Sequence, residues 1–216
     1  NGTDHIRIQA IRPGMDLSVA LKDADQIDDY VDERFSYAFD EKYGYLTSYP
    51  TNVGTGMRAS VLIHLPSLSL GKKFQAMLGD MGRFGVSVRG VYGEGRENYG
   101  SIYEVSNVKT LGQTERELAE LVCKVALQLN DQENQVRQMT LENHRLERED
   151  EVYKSYGVLK YARKLSMKEA MTYLSHLRAG ICDGVIALDG ACPVYGLILG
   201  IQNANLMKIA DHPLDK

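Results

Sequence analysis

Near Gly112 the spacing of apolar residues along the chain changes, and that change limits the folds open to it. Upstream, short alternating runs suit half-buried strands. Downstream, apolar residues recur every three or four positions, as on a helix packed along one face. Thr114 and Glu117 form a capping box, and Leu118, Leu121, Val122, Val125, Leu129, Val136, Met139 and Leu146 follow at helical intervals. The pattern predicts a helix that runs past Leu146. Ser166 and Glu169 make a second capping box before Ala170, Met171, Leu174 and Leu177, with Gly180 as the expected stop. Ala191 to Ala210 is apolar enough for a further buried helix.

Upstream of Gly112, Asp4 to Ala10 alternates polar and apolar residues as a strand does. Leu17, Ala20, Leu21, Ala24, Ile27, Val31 and Phe35 fall on one helical stripe. Strands are expected around Gly44 to Ser48, over Met57 to Leu65 (closed by Pro66), over Val86 to Tyr92 and over Ser101 to Val108. A helix is expected over Leu70 to Met81. Strands that follow one another in hairpin fashion favour an α+β fold, an antiparallel sheet flanked by helices, over a doubly wound one. The expected division is a sheet-bearing domain over 1–150 and a helical C-terminal extension over 151–216.

The chain has 216 residues, a formal net charge of −4 and a pI near 5.8. No global basic field recruits nucleic acid, so any anion site must be local. Three cysteines without CxxC spacing and five scattered histidines predict reduced thiols and no metal site. No apolar run reaches the roughly 18 residues that span a bilayer. The opening NGTDHIRIQ has neither an initiator Met nor a basic and apolar leader, and reads as an internal start within a longer protein.

Three arginine-bearing segments carry the functional signal. In Asn52-Val53-Gly54-Thr55-Gly56-Met57-Arg58, two glycines would let the backbone approach a ligand and aim N–H groups at it. Arg58 adds a planar, permanently charged donor fork suited to phosphate. A Walker loop would end in Gly-Lys-Ser/Thr and open a helix, whereas here a strand follows. Arg89-Gly90-Val91-Tyr92-Gly93-Glu94-Gly95 places an arginine at a strand end before a glycine-rich loop with a carboxylate. Asp4-His5-Ile6-Arg7 adds a third arginine, which could equally pair with Asp29 or Asp32 on a sheet surface. Taken alone, the first segment is better explained as a plain turn with a surface arginine and the second as a hairpin turn.

Together, "NxxDHIR", "PTNVGTGMRAS" and "RGVYGEG", in this order and separation, resemble the ATP:guanido phosphotransferases, the creatine and arginine kinase family. "YAFDEKYGYLTS", "RASVLIHLPSL" and "YKSYGVL" narrow the resemblance to the bacterial McsB-type protein arginine kinases, from Asn1 to about Gly184. The resemblance implies a guanido kinase catalytic domain that uses ATP or ADP with Mg²⁺ and phosphorylates arginine side chains of proteins. Arg7, Arg58 and Arg89 would clasp the nucleotide phosphates. Arg58, Ala59, Ser60, Val61 and Leu62, and then Arg89, Gly90, Val91, Tyr92, Gly93 and Glu94, would line the nucleotide site, with Asn52, Gly54, Thr55 and Gly56 shaping the loop. Phosphoryl transfer needs charge neutralisation and in-line positioning more than covalent help, and converging arginines supply both. Glu94 aligns with a carboxylate that contacts the acceptor guanidinium. The resemblance further implies a cytoplasmic role in stress response and protein quality control. Implied partners are a zinc-binding activator protein, a heat-shock repressor and a Clp-type unfoldase, and a homodimer is left open.

The acceptor side departs from the family pattern. A guanidinium stays protonated at any ordinary pH and is a poor nucleophile until oriented or deprotonated. Where the family has a glutamate pair before DH, this chain has Gly2 and Thr3, leaving Asp4 and Glu94 as the carboxylates. Where the family has a cysteine before PTN, it has Tyr49, a bulkier phenol in place of a thiol. The smaller helical domain that precedes the catalytic domain in the family is expected upstream of Asn1. Two readings stand: an ATP-dependent protein arginine kinase, or a catalytically degenerate relative that binds nucleotide or phosphoarginine as a regulatory module.

Overall fold

The computed structural model describes residues 4–93, 98–187 and 193–210. Seven α-helices and five strands are described. They are α1 (Leu17–Asp32), β1 (Phe39–Asp40), β2 (Gly44–Tyr45), β3 (Ser60–His64), α2 (Lys72–Asp80), β4 (Val86–Gly90) and β5 (Ile102–Asn107), then α3 (Glu115–Asn143), α4 (Arg145–Tyr161), α5 (Met167–Cys182), α6 (Val194–Gly200) and α7 (Asn203–Ile209). The α+β class expected from the sequence is what the chain adopts. The chain forms two compact units: residues 1–63, 72–89 and 103–130, and residues 64–71, 90–102 and 131–216.

The first unit holds most of a three-stranded sheet in the order β3-β5-β4. Backbone bonds bracket each strand pair. Asn107 donates to Ala59 and Leu65 to Ser101 on one side of β5; Val108 donates to Gly85 and Val91 to Ile102 on the other. Sequence numbers rise on one strand as they fall on its neighbour, so both pairings are antiparallel. Side chains alternate between faces, and Val86, Val88, Tyr103 and Val105 are buried. The α3 stripe, Leu118, Val122, Val125, Ala126 and Leu129, is buried in the same unit. The Phe74 ring meets Tyr103 edge to face at 5.2 Å.

The β1–β2 hairpin closes because the Asp40 carboxylate accepts the N–H groups of Lys42 and Tyr43, while Gly44 takes φ +75°. Asp28 of α1 ties this hairpin to the helix by accepting the hydroxyls of Tyr37 (2.9 Å) and Tyr45 (2.7 Å). Burial, reinforced by the bond to Asp28, pushes the Tyr37 phenol up to about 12. The Tyr45 phenol is raised for the same reasons.

In the second unit α4 packs on α5 through Val152 and Leu177. Ile102, Met171, Leu174, Val194 and Ile198 form the other buried cluster. Glu133, only 4% exposed, accepts the N–H groups of Ser67 and Leu68 at 2.9 and 2.8 Å and so caps a short 3-10 turn. Asp183 accepts Arg137 at 2.7 Å and Arg148 at 2.9 Å, and Arg148 also donates to Glu151. His64 accepts from Arg178 at Nδ1 and bonds Ser175 through Nε2, each at 2.8 Å. Burial, with Arg178 next, pushes the His64 imidazole down to about 3, so it is neutral.

Both capping boxes form. Thr114 and Glu117 exchange side-chain to backbone bonds, as do Ser166 and Glu169. Four expectations differ from the fold. Asp4 to Ala10 is not a strand, because no described strand pairs with it, and alternation without a partner edge satisfies no backbone groups. The long helix breaks at His144, at φ −137° and ψ 39°, before α4 resumes. Gly180 does not stop α5, which continues to Cys182; the positive φ falls at Gly184 (+69°) instead. Gly180 is needed inside the helix because a Cβ there would collide with Val152. The final apolar segment forms two short helices, α6 and α7, with only Val194 and Ile198 buried, because a one-sided apolar stripe needs only one covered face. Ala191 and Cys192 lie outside the described residues.

Candidate functional site

On one face of the sheet in the first unit, two arginines flank a carboxylate. Arg58 precedes β3, Arg89 lies near the end of β4, and Glu104 sits on the central strand β5. The bonds bracketing β4 and β5 place Arg89 directly across from Glu104. Arg89 donates to Glu104 Oε2 through Nε and Nη2, both at 2.7 Å. Arg58 Nη2 lies 3.5 Å from the same oxygen and donates to Ser106 Oγ at 3.1 Å. The side chains of Arg58 and Arg89 are 53% and 58% exposed, against 18% for Glu104. Two fixed positive charges and one negative therefore share a partly open polar face.

Each guanidinium carries five N–H donors, and the inner contacts occupy only some of them. The rest are free to meet an anion. The neighbouring side chains agree with alternation. Ala59 is buried, whereas Ser60 and Leu62 face out with Arg58, Leu62 being 63% exposed; Val61 is half-buried. Arg89, Gly90 and Gly93 are exposed, and Val91 and Tyr92 are half-buried. Arg7 is exposed, forms no ion pair among the described residues and is not joined to Asp29 or Asp32. Gly2, Thr3 and Glu94 lie outside the described residues.

Three amides of the glycine turn are used within the fold. Asn52 N–H donates to the Tyr49 carbonyl, Gly54 N–H to Tyr45 and Thr55 N–H to Thr110. Those three amides are taken by the fold and do not point at a ligand. Gly54 (φ +112°) passes against the Thr110 carbonyl where a Cβ would clash, and Gly56 takes φ +61°. The Thr110 hydroxyl lies 2.9 and 2.8 Å from the Thr51 and Val53 carbonyls. The turn is thereby pinned just before Arg58.

Of the residues expected on the acceptor side, Asp4 and Tyr49 are described, and Asp4 reaches this turn. The Asn52 side-chain amide donates to Asp4 Oδ2 at 2.8 Å, which ties the N-terminal segment to the loop. The Tyr49 ring is 50% exposed, while its carbonyl accepts the Thr47 hydroxyl. Glu104 and Ser106 escaped the sequence reading. The one signal was a lone carboxylate in the otherwise apolar-rich run Ile102 to Asn107; its place between the two arginines came only with the strand order.

The sheet with its arginine face belongs to a known class: the family model described as ATP:guanido phosphotransferase, C-terminal catalytic domain, matches residues 1–136, and the chain is a member of that family. Residues 145–216 match the model of the protein-arginine kinase McsB C-terminal domain. A protein named protein-arginine kinase in Caldanaerobacter subterraneus subsp. tengcongensis is 44% identical over 97% of the chain and 62% of its own length. One of the same name in Bacillus cereus is 47% identical over 99% of the chain and 60% of its own length. The chain thus spans about three-fifths of these relatives. Among solved structures, a lombricine kinase matches at a TM-score of 0.47 and 26% identity, over 58% of this chain and 34% of that one.

Proposed function

We propose that the chain is the catalytic part of an ATP-dependent protein arginine kinase. Its substrates would be proteins bearing exposed arginine, and its donor ATP, returned as ADP. The observation that carries the reading is the pairing of Arg58 and Arg89 across Glu104 on a half-open sheet face. Kinship with proteins named protein-arginine kinase supports it.

In this reading Arg58 and Arg89, with Arg7, neutralise the charge that builds on the transferring phosphoryl group. Mg²⁺ would arrive on the nucleotide phosphates. Asp4, oriented by Asn52, and Glu94 would face the acceptor guanidinium, whose charge they match. We also propose a functional division near residue 150, with residues 151–216 as a helical extension. The quality-control partners and a cytoplasmic location rest on the resemblance; no helix of the described residues is long and apolar enough to cross a membrane.

One observation favours the second reading, a relative with an impaired acceptor site. The half-exposed Tyr49 ring, which forms no described hydrogen bond through its hydroxyl, occupies the position where the resemblance implies a thiol. Calorimetric titration with ADP–Mg²⁺ tests the phosphate site: wild type binds, and Arg58→Ala and Arg89→Ala each weaken binding by about tenfold or more. Incubation of the intact protein with ATP and an arginine-rich protein, followed by mass spectrometry, tests the chemistry. Abundant phosphoarginine supports the kinase. Nucleotide binding without it, repaired by Thr3→Glu with Tyr49→Cys, supports the impaired relative.

A further inference from the structure

We infer that Glu104 is a positioning residue for the phosphate clamp: one partly buried carboxylate oxygen fixes Arg58 and Arg89 so that their remaining donors face outward together. This rests on the proposed reading of that face as a triphosphate site and adds the residue that organises it. Three features carry the inference. Glu104 Oε2 takes Arg89 Nε and Nη2, both at 2.7 Å, and lies 3.5 Å from Arg58 Nη2, so the contacts use the inner edges of both guanidiniums. Ser106, fully buried on the same strand, accepts Arg58 Nη2 at 3.1 Å and fixes that group from a second side. The carboxylate is 18% exposed while the arginines are 53% and 58% exposed, so the anchor is shielded and the donors are open.

A long arginine side chain loses rotamer entropy whenever it is held, and two like charges repel when brought side by side. A shared, partly shielded carboxylate meets both costs before any ligand arrives. Binding of an oligophosphate then needs no reorganisation of the clamp. The carboxylate does not compete with the ligand for the same N–H groups, which separates this role from that of a displaced counter-ion.

The sign of one measurement tests this. Glu104→Ala and Glu104→Gln each raise the charge of the site by one unit, and electrostatics alone predicts tighter binding of an anion. Positioning predicts the reverse. Inorganic tripolyphosphate and ADP–Mg²⁺ should bind about tenfold more weakly to Glu104→Ala, with Glu104→Gln, which keeps one acceptor oxygen, in between. In ligand-free wild type, the Arg89 Nε–H resonance, assigned by its loss in Arg89→Lys, should be protected from solvent exchange. In both Glu104 variants it should lose that protection. Binding that is unchanged or tighter in the variants would overturn the inference, as would an Arg89 Nε–H that exchanges freely in wild type. Weaker binding that merely follows a lowered melting temperature, with the Nε–H signal unchanged, would also overturn it. A wild type that binds neither probe overturns the triphosphate reading as well. That case stands apart because the Nε–H signal is read without ligand.

Discussion

Gly54 runs so close to Thr110 that a single added methyl group would strike the Thr110 carbonyl. The same stretch is held by Thr55 N–H to Thr110 and by the Thr110 hydroxyl beneath Thr51 and Val53. This contact sets where the chain enters β3, and so where Arg58 emerges. Gly54→Ala should therefore act twice, through its positive φ and through the collision. A loss of roughly 2–4 kcal/mol is expected in urea unfolding. ADP–Mg²⁺ affinity should fall too, because Arg58 shifts. Substituting Gly82, which has open space around it, serves as the control.

Gly180 to Ala would improve intrinsic helix propensity, yet the substitution should destabilise the protein. A Cβ at that position meets both Cγ atoms of Val152 across the α4–α5 contact. Overpacking of this kind costs about 1–3 kcal/mol, more than the roughly 1 kcal/mol that Ala gains over Gly in a helix. Combining Gly180→Ala with Val152→Ala should recover part of the loss. A double variant no more stable than the sum of the two single changes would refute the contact.

His64 titrates between the value of an exposed imidazole, 6.5, and a folded value of about 3. The folded pKa is depressed, so the unfolded chain binds the extra proton throughout that window. Stability is then complete above pH 6.5 and declines as pH falls toward 3. His176, also lowered by burial, acts in the same direction. Unfolding free energies measured at pH 7 and pH 5 should differ less for His64→Gln than for wild type. Equal pH dependence in the two proteins would exclude His64 as a source.

Glu133 caps two backbone N–H groups with its two carboxylate oxygens. Glu133→Gln keeps the shape but turns an NH₂ toward one of those donors. A buried donor left without an acceptor costs about 1–3 kcal/mol, and guanidinium chloride unfolding should show a loss in that range. Faster hydrogen exchange should be confined to the amides of Ser67 and Leu68.

Local order was legible in the sequence because it depends on neighbours three or four residues away. The capping boxes at Thr114 and Ser166, the helices α1, α2, α3 and α5, and the strands β3, β4 and β5 all follow from such short-range patterns. Arginine-bearing segments were likewise readable, since Arg58 and Arg89 each stand beside glycines at the edge of a strand-forming run. What those segments do to one another was decided by strand order. With β5 between β3 and β4, Glu104 falls between the two arginines, and no local pattern encodes that neighbour. Pairing also decided that Asp4 to Ala10 finds no sheet edge and that Gly180 serves Val152 instead of ending its helix. The Gly54 and Thr55 N–H groups went to Tyr45 and Thr110, outside the turn, because an amide withdrawn from water is satisfied by whatever tertiary contact brings near.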